Sequence, residues 1–176
     1  LNNSKNIKSN ILSSEFSNVL LNLNLDYTQK KNRDIYSAVV EYFYEIGNIS
    51  KANYLLELRD LDKDENLNYY TTIKFNYLLA TLQLENVCNL KSQLSSDIVL
   101  ENFLLEKIDI FCILLSENVS EAELLNSILL ETEKENDQIF QNLFQLLSQK
   151  ENSLDLNLIN DKNLLKLDLI FLYSAM

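Results

Sequence analysis

The sequence predicts an all-α fold, with antiparallel helical hairpins stacked as a short α-solenoid. Three observations carry that expectation. The 176 residues contain no Pro and a single Gly, so the tight turns that separate many short strands have almost no residues to build them. Apolar residues recur at helical spacing in one segment after another. A short corner, Asn-aliphatic-Ser, returns along the chain.

The elements follow in order. Ile11, Leu12, Phe16, Val19, Leu20 and Leu23 form one amphipathic stripe and predict a first helix. A second runs over 33–46, with Tyr36, Val39, Val40, Phe43 and Ile46 on one face. Gly47-Asn48 ends it, because glycine adopts the left-handed conformation that closes a helix. Ser50 is expected to cap a third helix carrying Ala52, Leu55, Leu56 and Leu58. The charged stretch 60–66 reads as a loop. A long helix is expected over 69–84, a short one over 87–94, and another over 99–115 with Leu100, Phe103, Leu104, Ile108, Phe111 and Leu115 aligned. Ser120 with Glu123 reads as a capping box. Asn136 or Asp137 opens a helix bearing Ile139, Phe140, Leu143, Phe144 and Leu147. A second loop is expected over 152–160, and an apolar helix from about 162 closes the chain. About nine helices result, read as one domain over 1–176 with units near 33–60, 69–95, 99–132 and 137–176. Starting at Leu and ending inside an apolar segment, the chain reads as a piece of a longer protein.

Composition narrows the function. There are 26 acidic and 15 basic side chains, a formal net charge of −11. Such a surface repels nucleic-acid phosphates. With no His, imidazole serves neither acid–base catalysis nor zinc. One Gly excludes glycine-rich phosphate loops. The longest uncharged run, 138–149, is too short for a membrane span. The high Leu and aromatic content separates the chain from disordered acidic sequences.

The corner Asn48-Ile49-Ser50-Lys51-Ala52 recurs as Asn118-Val119-Ser120-Glu121-Ala122, with a degenerate copy at Asn86-Val87-Cys88-Asn89-Leu90. Each follows a long amphipathic helix and begins another. Asn suits the turn, the aliphatic residue anchors the chain, and the small Ala permits close helix packing. On this pattern, Tyr36, Val39, Val40, Phe43, Gly47, Ala52 and Leu56 resemble the tetratricopeptide repeat (TPR). A later unit keeps Ile110, Ile113 and Ala122. It departs from the family at Glu106, Asp109, Glu117 and Asn126, and the middle unit has Leu90 where a small residue is expected. No unit has the family's terminal Pro. More loosely, the order of the Gly-Ala unit, Cys88, Phe111-Cys112, Ala122 and 137–147 resembles uncharacterised alphaproteobacterial helical-repeat proteins thought to be exported. That resemblance implies a periplasmic setting and brings no catalytic motif.

TPR-like geometry implies a concave face lined by the first helix of each unit. This would expose Glu41, Tyr44 and Glu45 from the first unit, Asn76 and Gln83 from the second and Lys107 from the third. Such an acidic, aromatic surface suits a protein or peptide partner of basic character. Tyr44 or Tyr70 is a candidate anchor. The closing helix is a candidate assembly surface.

Cys88 and Cys112 have two readings. They form one disulfide between neighbouring helices, or Cys112 is a small core residue and Cys88 a replaced cap. Without His as a base, a Cys nucleophile is disfavoured. The carboxylate pair Glu41 and Glu45 reads as a solvated face. The acidic loop 60–65 lacks the central Gly and the final Glu of a calcium loop. The expected function is a non-enzymatic scaffold or adaptor for protein–protein interaction, with no cofactor and no metal. The alternatives are a subunit of a larger assembly and a carboxylate-based enzyme.

Overall fold

The computed structural model describes residues 9–23, 30–59, 65–132 and 137–148. Among them are eight α-helices and no strand. The fold is all-α. The expected loop 60–66 lies mostly outside the described residues, and the second loop and closing helix lie wholly outside them. The chain falls into two compact units that divide between Tyr77 and Leu78.

The first unit opens with α1 (Asn10–Leu21), capped by Ser9, whose hydroxyl accepts from the Leu12 amide. Only part of its apolar stripe is covered: Leu20 is buried and Phe16 packs on the core, whereas Ile11, Leu12 and Val19 are exposed. Helix α2 (Lys30–Glu45) buries Tyr36, Val39, Val40, Tyr42 and Phe43. It packs on α3 (Ile49–Glu57), which contributes Ala52, Leu55 and Leu56 to the same core. The Tyr36 hydroxyl donates to the Leu55 carbonyl, and the Lys51 ammonium sits 5.5 Å from the Phe43 ring centre. Ile46 and Leu58, expected on the buried faces, are exposed because each lies just past the end of its helix. Helix α4 (Leu67–Ala80) adds Tyr70 and Ile73 to this core. The unit boundary falls in its last turn.

The second unit holds α5 (Leu84–Gln93), a 3-10 turn (Glu101–Phe103), α6 (Leu104–Leu115), α7 (Val119–Thr132) and α8 (Gln138–Leu147). Helix α6 packs against α5, α7 and α8 and buries Leu104, Ile108, Ile110 and Phe111. The helix expected from 99 starts instead at 104, because Phe103 takes a left-handed backbone, φ 55° and ψ 34°. The side-chain amides of buried Asn126 on α7 and part-buried Gln141 on α8 donate to each other at 2.9 Å in both directions.

Three corners share one geometry. At the end of α2 the Gly47 amide donates to the Tyr44 carbonyl and the Asn48 amide to the Phe43 carbonyl. At the end of α4 the Leu82 amide donates to Leu79 and the Gln83 amide to Leu78. At the end of α6 the Glu117 amide donates to Leu114 and the Asn118 amide to Ile113. This is the Schellman pattern, which satisfies carbonyls that a helix end leaves without partners. The residue in the left-handed region is Gly47, Leu82 or Glu117, at φ 78°, 57° and 61°. The three are evenly spaced, 35 residues apart. The residue five places beyond each, Ala52, Val87 or Ala122, is fully buried.

This register corrects the sequence reading at the middle corner. The long helix stops at Ala80, short of 84, and the bend falls at Leu82-Gln83, ahead of Asn86. The small-residue position there is Val87, in place of Leu90. The caps are corrected too. Asn48, one residue before α3, accepts from the Lys51 amide, while Ser50 lies inside the helix. Asn118 precedes α7 and its side-chain amide donates to Glu121, so Ser120 and Glu123 are interior residues. Asp137 caps α8, accepting from the Ile139 and Phe140 amides at 3.1 Å.

Candidate partner-binding surface

The four-residue spacing of Glu41 and Glu45 puts both on one stripe of α2, and both are exposed. Tyr42 and Phe43 turn into the core beside them. Tyr44 lies at the rim, half-buried. Facing it is α4, where Tyr69 is 37% exposed and Tyr70 is 1% exposed. The Tyr44 and Tyr69 rings meet edge to face with centres 6.0 Å apart, and the Tyr69 and Tyr70 rings are tilted at 6.3 Å. Such edge contacts hold aromatic rings in fixed orientation.

Two polar rungs tie α2 to α4. The Ser37 and Tyr70 hydroxyls are hydrogen-bonded, and the Asn66 amide donates to Ser37 at 3.2 Å. Further along, the Asn76 side-chain amide donates to the Tyr44 hydroxyl. Asn76 is 3% exposed, and its Oδ1 is buried with no hydrogen-bond partner. Burial raises the Tyr44 phenol above its ordinary value, offset in part by the bond from Asn76. Tyr69 is pushed up to about 12, first by burial and then by Glu41, Tyr44, Glu45 and Tyr70. Both carboxylates therefore act on the Tyr69 hydroxyl.

The structure brings together Glu41, Tyr44, Glu45 and Asn76 from the expected set. It corrects the exposure of two expected surface residues and one candidate anchor. Asn76 is buried because it holds Tyr44. Tyr70 is buried, and its neighbour Tyr69 is the outward ring, since a helix turns by about 100° per residue. In the second unit Lys107 is 1% exposed, with its ammonium 2.6 Å from Asp137 and 5.8 Å from the Phe140 ring centre. It is a core cation and not a surface one. Gln83 lies in the middle corner, donating to Thr81 at 2.8 Å and accepting from Asn86 at 2.9 Å.

Sequence reasoning missed Tyr69, although the Tyr69-Tyr70 pair was visible. Telling which ring faces outward required the register of α4. Cys88 on α5 and Cys112 on α6 are joined by a disulfide, with Cα atoms 5.7 Å apart. Beside it the Lys91 ammonium pairs with the Asp109 carboxylate. Among the described residues, no helix is long and apolar enough to cross a membrane. Comparison of the chain with protein-family models, with curated proteins and with solved structures returned no match.

Proposed function

We propose that the chain is a non-enzymatic helical-repeat scaffold of the TPR-like α-solenoid kind, which holds a protein or peptide partner on the α2–α4 face. The observation that carries this reading is the recurrence of one corner at Gly47, Leu82 and Glu117, evenly spaced and with the same hydrogen bonds. A unit that returns in register, with a buried residue at the same offset, is how stacked helix pairs make a continuous core.

The order of contacts along the helices supports it. Between α2 and α3, Phe43 meets Lys51 and Tyr36 meets Leu55, so the partners run in opposite directions. Between α5 and α6, Cys88 meets Cys112 and Lys91 meets Asp109, again in opposite directions. Between α2 and α4, Ser37 meets Tyr70 and Tyr44 meets Asn76, in the same direction. Antiparallel neighbours with parallel first helices are the contact order of a helix-pair stack. The disulfide and the exported-protein resemblance together favour an oxidising compartment.

The test is site-specific photo-crosslinking in the native organism. A photoreactive residue at Tyr69 should capture one partner protein, and the same residue at Glu57, which is exposed on α3, should not. Equal capture at both positions, or none at Tyr69, would reject the scaffold reading for this face. A second reading, a subunit of a larger assembly, is favoured by Leu124 and Ile128. These are one turn apart on α7 and 63% and 50% exposed. Light scattering on the purified chain separates the two, since a subunit self-associates through such a face.

A further inference from the structure

Within the second unit, α5 is the helix with the least packing of its own. One of its ten residues is buried, Val87, against three on α7 and four on α8. Leu84, Leu90 and Leu94 are only partly covered. Both of its ends can act as hinges. At the entry, Leu82 holds a left-handed backbone with φ 57°, a conformation that costs a residue with a side chain free energy. At the exit, Ser95, Ser96 and Asp97 are exposed and outside any helix, just before Ile98 and Leu100, which are buried. Across the contact with α6, Cys88 is bonded to Cys112 and, one turn on, Lys91 pairs with Asp109. That ion pair has side chains 31% and 37% exposed, so it holds little by itself. The ties among the other helices, Lys107 to Asp137 and Asn126 to Gln141, use no residue of α5.

We propose that the Cys88–Cys112 bond is a redox latch: a protein dithiol opens it, and α5 then leaves α6 while α6, α7 and α8 stay folded together. Neither cysteine is fully buried, so a reductant can reach the bond. A thiolate of the dithiol attacks one sulfur, the S–S bond breaks, and a mixed disulfide forms with this chain. The second thiol of the reductant then displaces it. Two electrons and two protons pass to Cys88 and Cys112, which become thiols, and the reductant leaves as a disulfide. With the latch open, one buried residue and one exposed ion pair oppose the release of strain at Leu82. Release uncovers Val87 and, on α6, Ile108, which lies one turn before Cys112 on the same stripe and is fully buried in the closed state. The latch is independent of what the α2–α4 face binds.

The test uses the full oxidised chain, with dithiothreitol as the dithiol probe under native conditions. Thiol labelling counts the cysteines released, and hydrogen exchange read by mass spectrometry follows each helix. Two thiols should appear without denaturant. The α5 amides should then exchange at least about tenfold faster, while those of α7 and α8 stay within about twofold of their oxidised rates. Reoxidation should restore the protection of α5. The double variant Cys88→Ser with Cys112→Ser should show the same fast α5 exchange with no reductant present, which separates opening of the latch from other effects of the probe. In the reduced chain, Leu82→Gly should slow α5 exchange roughly threefold, because glycine removes the strain that favours release. A bond that yields to dithiothreitol only in denaturant would overturn the proposal. So would an α5 that keeps its protection after both thiols appear, since packing alone would then hold it. Loss of protection in α5, α7 and α8 together would overturn it as well, because the bond would then be a clamp on the whole unit.

Discussion

The Asp137 carboxylate accepts from the Lys107 ammonium on one oxygen and from the Ile139 and Phe140 amides on the other. One side chain thus starts α8 and neutralises a cation buried on α6. The Lys107 side chain is 2% exposed and that of Asp137 12%. Removing one member takes a close partner from the other charge in a poorly solvated site. Asp137→Ala should cost about 3–5 kcal/mol. The double change Lys107→Met with Asp137→Ser removes both charges and keeps a capping hydroxyl, so it should fall within about 1 kcal/mol of the native chain. Urea unfolding checks both. A double variant as unstable as Asp137→Ala would place the loss in packing or capping and not in charge.

Why the sequence showed some of this and not the rest can be traced to particular residues. Helix class was legible from the scarcity of Gly and Pro, and α2, α3 and α8 from stripes whose neighbours are also apolar. The outer corners were legible because Asn48 and Asn118 mark them. The middle one was hidden because Leu82 occupies a conformation where Gly or Asn is the usual sign, while Asn86, three residues on, imitates the marker. Lys107 reads as a surface residue on its own helix. Its counterion lies 30 residues away in sequence, so only the folded arrangement explains its burial. Asn76 is the same case, with Tyr44 32 residues away. Exposed Ile11, Leu12 and Val19 show the converse limit, since a stripe gives spacing but not what covers it.

The corners themselves make a prediction. Leu82 pays the left-handed backbone penalty with a side chain 63% exposed, so little packing is lost on removing it. Leu82→Gly should stabilise the chain by about 0.5–1 kcal/mol. Gly47→Ala should destabilise it by about 1 kcal/mol, and purely through the backbone, because no heavy atom beyond Gly47 and its two chain neighbours lies within 4 Å of where the added methyl would sit. Opposite signs in thermal melting are the signature. A neutral Gly47→Ala would mean the corner relaxes.

The disulfide bears on α5 in particular. Of its ten residues only Val87 is buried, and its polar tie to α6, Lys91 with Asp109, has side chains 31% and 37% exposed. A surface ion pair of this kind adds little. The Cys88–Cys112 bond closes a span of 24 residues. Replacing both cysteines with Ser should lower stability by about 2–4 kcal/mol and speed hydrogen exchange in α5 more than in α7. Non-reducing mass spectrometry of the native protein comes first. Two free thiols would remove the bond from the account.

Alkaline pH tests the buried phenols. Burial pushes Tyr36 from its ordinary 10.0 up to about 12, against the pull of the Arg59 guanidinium beside it, with Tyr70 adding a smaller upward push. Tyr69 is raised to about 12 as well. A group whose folded pKa lies above its unfolded value favours the folded state fully below the unfolded value. That contribution is lost as pH rises through the folded one. Stability should therefore hold up to about pH 10 and fall between pH 10 and 12. Tyrosinate absorbance should show late-titrating phenols in the folded chain, and Tyr36→Phe should flatten part of the fall. Because the Tyr36 hydroxyl also donates to the Leu55 carbonyl, that variant should lose stability at neutral pH too, by about 1 kcal/mol. A fall of the same depth in Tyr36→Phe and in the native chain would mean that the alkaline loss belongs to other groups.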